Sequence, residues 1–107
     1  MKVSEIDGPL LDYWVAKAAW GEAKIVDGDV LGGAGSEWVG RTFSPTTIWA
    51  QAGPLIEKER IKLLPPEAER LVWLAEVGQA QGLDASPLIA AMRAYVASKY
   101  GEEVPAE

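Results

Sequence analysis

Between Ser86 and Gly101 the residue types mark both ends of a helix and the face it buries. Ser86 can cap a helix N-terminus through its side-chain oxygen. Pro87 suits the first helical position, where an N–H would have no partner anyway. Leu88, Ile89, Met92, Tyr95 and Val96 recur at i, i+1, i+4, i+7 and i+8, which gathers them into one apolar stripe. Lys99 falls near the C-terminus, where the helix dipole favours a cation, and Gly101 ends the run. The spacing predicts a helix over 87–100, and the rest of the chain has to cover its stripe.

A second helix is predicted over 8–19. Asp7 is its N-cap, Gly8-Pro9 its first turn and Gly21 its stop, and Leu11, Trp14, Val15 and Ala18 form its stripe with Asp12 and Lys17 off it. Lys24-Ile25-Val26, Asp27-Gly28 and Asp29-Val30-Leu31 read as strand, tight turn and strand, because Asp-Gly favours the positive φ angles of a two-residue hairpin turn. The glycine-rich stretch 32–36 reads as a mobile loop, followed by a short strand or extended arm in Glu37-Trp38-Val39 and Arg41-Thr42-Phe43. Ser44 and Pro45 then predict a short helix over 44–51, broken at Gly53 and Pro54, with another helical turn after it. Ile61-Lys62-Leu63-Leu64 reads as a strand stopped by Pro65 and Pro66. The run 71–77 is a clearer strand, although a helix starting at 67 is the competing reading. The fold class expected is α+β: a small, mostly antiparallel sheet packed by an N-terminal and a C-terminal helix.

The chain has 107 residues and no repeat or linker, so a single domain over 1–107 is expected, with 102–107 as a frayed tail. It contains no Cys, which removes thiol nucleophiles, disulfides and the usual structural zinc sites. It contains no His, which removes the Ser-His-Asp triad and imidazole metal ligands. Asp12, Asp27, Asp29 and Glu57 are the carboxylates beside loops, and their spacing selects no reaction, metal or cofactor. A non-enzymatic protein is therefore expected. Glycines 32, 33 and 35 lack the Gly-Lys-Ser/Thr ending of a phosphate loop. With 10 Lys and Arg against 16 Asp and Glu the net charge is −6, which disfavours direct nucleic-acid binding and otherwise reads as solubility. No apolar run suits a signal peptide or a membrane span, so a cytoplasmic protein is expected.

Five Trp residues stand out. Trp14 and Trp73 lie on apolar faces and read as core. Trp38 and Trp49 lie among Gly, Pro and Thr, where an exposed aromatic can stack on a base, a sugar or a partner protein. Arg93 lies off the stripe of the last helix. It reads as a solvated or locally ion-paired residue, with an anion or partner contact as the alternative.

Three blocks carry a family resemblance. The first is Met1-Lys2-Val3-Ser4-Glu5 with Leu11-Asp12-Tyr13-Trp14-Val15-Ala16-Lys17-Ala18. The second is Ser44-Pro45-Thr46-Thr47-Ile48-Trp49-Ala50-Gln51-Ala52-Gly53-Pro54-Leu55-Ile56-Glu57, followed by Ile61. The third runs from Ser86-Pro87-Leu88 through Ala91-Met92-Arg93 to Gly101. In order and spacing the chain resembles the NinX-like family of phage and prophage proteins. Ile48 stands where relatives often carry an acidic or polar residue, Ala52 where a second Gly is common, and the stretch around 65–69 is longer than in compact relatives. The resemblance implies a small accessory phage protein in a bacterial host, and it implies no catalytic residues.

Two functions follow as expectations. The first is binding of a host or phage protein. The second is binding of a small nucleotide-like ligand, as a sponge for a defence signal. The candidate binding residues are Trp49, Gln51, Gly53, Pro54, Arg93 and Trp38. Five Trp and a long Ala-rich helix also leave room for a homodimer.

Overall fold

The computed structural model describes residues 1–33 and 38–105. Its axis is the last helix, α3 (Pro87–Tyr100), capped as its residue types predict: Ser86 Oγ accepts the Ile89 N–H at 3.3 Å, and the Gly101 N–H reaches the Ala97 carbonyl. The expected stripe is only part of what α3 buries. Leu88, Met92, Tyr95 and Val96 are inside, but so are Ala90, Ala91, Arg93 and Ala94. A helix buried on nearly every side needs neighbours all round, and α3 has them in the first helix, the second helix, a three-stranded sheet and the 3-10 turn Val3–Glu5.

The first helix, α1 (Gly8–Trp20), packs on α3 and β2 and buries Leu11, Trp14, Val15 and Ala16; Asp12 is buried as well. Asp7 takes the N-cap backbone position, but its side chain makes no cap hydrogen bond. Strands β1 (Lys24–Val26) and β2 (Asp29–Leu31) form the predicted hairpin, closed by Asp27 at φ 52° and Gly28 at φ 84°. The positive φ at both central positions is what a type I′ turn requires. After β2 the expected strand around 37–43 is reduced to two isolated bridges, Leu31 to Thr42 and Gly32 to Val39, and Glu37 lies outside the described residues. Gly32 is buried, and a Cβ there would meet the Trp38 carbonyl. Close packing, rather than mobility, explains that glycine; residues 34–36 of the expected mobile loop lie outside the described residues.

The middle of the chain departs most from expectation. Residues 44–47 form a turn whose Ser44 carbonyl accepts the Thr47 and Ile48 N–H groups, and the helix α2 begins only at Trp49 and runs to Glu59. Ser44 does not cap it; the N-cap position is Ile48. Nor do Gly53 and Pro54 break it. Pro54 removes one hydrogen bond, and the usual clash of a proline ring with the preceding Cβ is absent because residue 53 is glycine.

The sheet is β3 (Lys62–Leu64), β4 (Trp73–Val77) and β5 (Ala80–Asp84), antiparallel in the order β3-β4-β5. The 71–77 segment is a strand from Trp73, not a helix. β5 is a strand the residue types do not announce. A two-residue turn at Gly78 and Gln79 folds it back on β4, and α3 covers it. In register, one face carries the row Lys62, Glu76, Gln81 and the row Leu64, Leu74, Leu83. The other face, with Ala75 and Gly82, meets α3. At Gly82 the approach is so close that an added Cβ would overlap the α3 backbone.

The tail is not frayed over 102–104. The Val3 N–H donates to the Glu102 carbonyl and the Val104 N–H to the Met1 carbonyl, both at 2.9 Å, and Lys2 bridges Glu103. Val104 is buried by this clasp; Ala106 and Glu107 lie outside the described residues.

Candidate functional site

Two polar side chains hold the turn that precedes α2. Asp12 projects from α1 and is only 3% exposed. Its Oδ1 accepts the Thr46 N–H at 3.0 Å, and its Oδ2 accepts the Thr46 hydroxyl at 3.1 Å and the Ser44 hydroxyl at 3.4 Å. Gln51 points back from the first turn of α2: its Oε1 accepts the Ser44 N–H at 2.5 Å and its Nε2 donates to the Thr42 carbonyl at 3.0 Å. Residues 42–46 are thus pinned from α1 on one side and from α2 on the other. The residues that follow the pinned turn face solvent: Ile48 is 40% exposed and Trp49 55%. The local result is an indole held outward on a braced backbone.

Burial pushes the Asp12 carboxyl up from its ordinary 3.8 to about 6, against the opposite pull of the Thr46 and Ser44 donors. The folded chain therefore binds this proton more tightly than the unfolded chain does. The resulting stability is complete below pH ~4 and is lost as pH rises through 6, a swing of roughly 3 kcal/mol. Asp12→Asn removes the titration. The stability of the parent minus that of Asp12→Asn, from urea unfolding at each pH, should fall by about that amount between pH 4 and 7. A flat difference would mean that the three donors hold the carboxylate ionised throughout.

The six residues singled out from the sequence do not meet in one cavity. Trp49, Gln51, Gly53 and Pro54 share α2, but Gln51 is 5% exposed and both ends of its amide are bonded within the fold. Trp38 is half-buried against the core, with the Arg41 guanidinium 5.9 Å from its ring. Arg93 is not on a solvated face. It is 8% exposed; its Nε donates to the Ile6 carbonyl at 3.0 Å, and its Nη1 to the Leu83 carbonyl at 2.6 Å and Asp84 Oδ1 at 3.1 Å. The ion-paired reading of Arg93 holds, in a buried setting. Trp14 is in the core as expected, and Trp73 packs against it partly exposed. Two grooves, of about 360 and 570 Å³, are lined by none of the six candidate residues.

Asp12 is the residue that sequence reasoning misplaced. It lies off the apolar stripe of α1 and would face water if α1 packed only on α3. The available signal was the run Ser44-Pro45-Thr46-Thr47, rich in donors with short side chains, which needs an acceptor. Asp27 and Asp29 are exposed on the hairpin and Glu57 is exposed on α2. Among the described residues no three carboxylates come together in a way that would hold a metal ion. No described helix is long and apolar enough to cross a membrane.

Fold and site together define a small α+β protein in which a buried acid and a buried amide brace an outward-facing tryptophan. The chain belongs to the NinX family of bacteriophage proteins: the family described as Bacteriophage P22, NinX matches residues 2–99, which include the whole brace and all but the last residue of α3. No curated protein matches the chain.

Proposed function

We propose that the protein is a phage accessory protein that acts inside the host cell by holding a partner protein, of host or phage, and not by catalysis. The observation that carries this reading is Trp49, 55% exposed beside Ile48, at the start of a helix whose entry is fixed by Asp12 and Gln51. A backbone already fixed at the helix entry loses little further freedom on binding, and exposed aromatics of this kind dominate protein interfaces. The small-ligand reading relied on Gln51 and Arg93 as pocket groups. Both make their hydrogen bonds within the fold, which favours the protein partner.

The test compares the protein with Trp49→Ala as bait in lysate of an infected host. Trp49 is mostly outside the core, so the variant should melt within a few degrees of the parent. The parent should retain a stoichiometric protein partner, and Trp49→Ala should weaken it by about 30-fold, the equivalent of roughly 2 kcal/mol. Equal retention by both, or no partner on the parent, would sink the proposal.

A further inference from the structure

β5 uses one of its two sides. In a hairpin closed by a two-residue turn at Gly78 and Gln79, the backbones of Ala80, Gly82 and Asp84 bond to β4, so those of Gln81 and Leu83 point away from it. The Leu83 carbonyl confirms that direction, because Arg93 Nη1 meets it at 2.6 Å. Nε of the same guanidinium donates to the Ile6 carbonyl at 3.0 Å. One planar cation therefore spans the space between β5 and the chain leading into α1, where a neighbouring strand would otherwise run. Beyond Arg93 the space opens into a groove of about 570 Å³, with β5 on one side and residues 2–4, Glu102 and Glu103 on the other. The Gln81 side chain does not cover its own backbone edge, because its Nε2 is turned to Glu76 at 3.1 Å on the face away from α3. Among the described residues nothing pairs with the outward N–H and C=O of Gln81.

We propose that this groove takes a short, extended, basic peptide segment of a partner protein as an added strand beside β5. An added strand lies ~4.8 Å from its neighbour and bonds through its backbone, which the Gln81 edge offers. Arg93 stops it at the Leu83 end and β5 is itself five residues long, so the segment pairs over no more than about four or five residues at ~3.4 Å each. The charge of the segment is set by the far wall, where Glu102 and Glu103 stand against a single Lys2 on a chain of net charge −6. A second copy of this chain does not fit the slot: its β5 would arrive with β4 alongside and α3 behind, two layers too thick for a space walled on both sides. The inference does not depend on Trp49, which is no part of the groove.

The probe is a capped peptide of alternating Lys and Val, titrated into the ¹⁵N-labelled full chain. The Gln81 and Leu83 amides should shift most and gain protection from exchange. A peptide N-methylated at alternate backbone positions, and one with Glu in place of Lys, should each bind at least 10-fold more weakly. Gln81→Pro removes an outward N–H without touching the β4 ladder and should abolish the shifts, whereas Trp49→Ala should leave them intact. Binding by the N-methylated peptide as tight as by its parent would mean charge attraction alone and would overturn the proposal. So would shifts centred away from β5, no binding at millimolar peptide, or self-association of the free chain that Gln81→Pro abolishes.

Discussion

Replacing Arg93 by Met should destabilise the protein by about 4 kcal/mol at neutral pH. The guanidinium is 8% exposed and joins three parts of the chain: the Ile6 carbonyl, the Leu83 carbonyl and the Asp84 carboxylate. Met fills much of the same volume but leaves two carbonyls unmet, each costing roughly 1–3 kcal/mol where it stays buried. Asp84 is less affected, because it also accepts the Ser86 N–H at 2.8 Å. Arg93→Lys should recover only part of the loss. A single ammonium cannot reach two diverging carbonyls in the fixed geometry of a planar fork. Urea unfolding of the three proteins measures this directly, and a loss below ~1 kcal/mol for Arg93→Met would show that the three contacts are not made in solution.

The second large effect is expected at Gly82. A Cβ at this position would lie 2.1 Å from the Ala90 carbonyl oxygen, 2.7 Å from the Ala94 nitrogen and 2.9 Å from the Arg93 Cβ. Two of these are backbone atoms of α3, so no side chain can rotate away to make room. Gly82→Val should lift α3 from the sheet and cost more than about 4 kcal/mol, beyond ordinary overpacking. For a chain of this size that corresponds to a fall in Tm on the order of 20 °C. Gln81→Val is the control. It places the same side chain one residue earlier, on the opposite face, and should change stability by less than ~0.5 kcal/mol. If Gly82→Val melts within a few degrees of the parent, α3 and β5 do not touch as described.

These two sites show what a linear reading of the chain can and cannot reach. Both ends of α3 and the β1–β2 hairpin were legible because Ser86, Pro87, Gly101 and Asp27-Gly28 act on their immediate neighbours. β5 was not legible. Ala-Gln-Gly-Leu-Asp lacks the β-branched and aromatic residues that favour strands, and its conformation comes from β4 on one side and α3 beneath. Gly53 and Pro54 misled for a related reason. Each is unfavourable inside a helix, but the glycine relieves the proline ring's clash with a preceding Cβ, so that the rest of α2 has only the lost hydrogen bond and the crowding at the Ala50 carbonyl to offset. At the site, Trp49 could be read as an exposed aromatic from its polar neighbours. The burial of Gln51 and Arg93 could not be read, because a polar residue announces a hydrogen bond without naming its partner. For Arg93 that partner, Ile6, lies 87 residues away, and for Asp12 it lies 34 away at Thr46.

The pairing of residues 1–3 with 102–104 has a mechanical meaning as well. The two segments run antiparallel, and Met1 lies opposite Val104 at the outer end of the clasp. A force applied to the two outermost residues loads these hydrogen bonds one after another, as in unzipping, and not all together, as in shear. Behind the clasp stand Val3 and the Arg93 bridge to Ile6, so the next resistance along the same pull comes from the buried guanidinium. Because residues 2–4, Glu102 and Glu103 wall the groove beside β5, parting the two segments would open that groove.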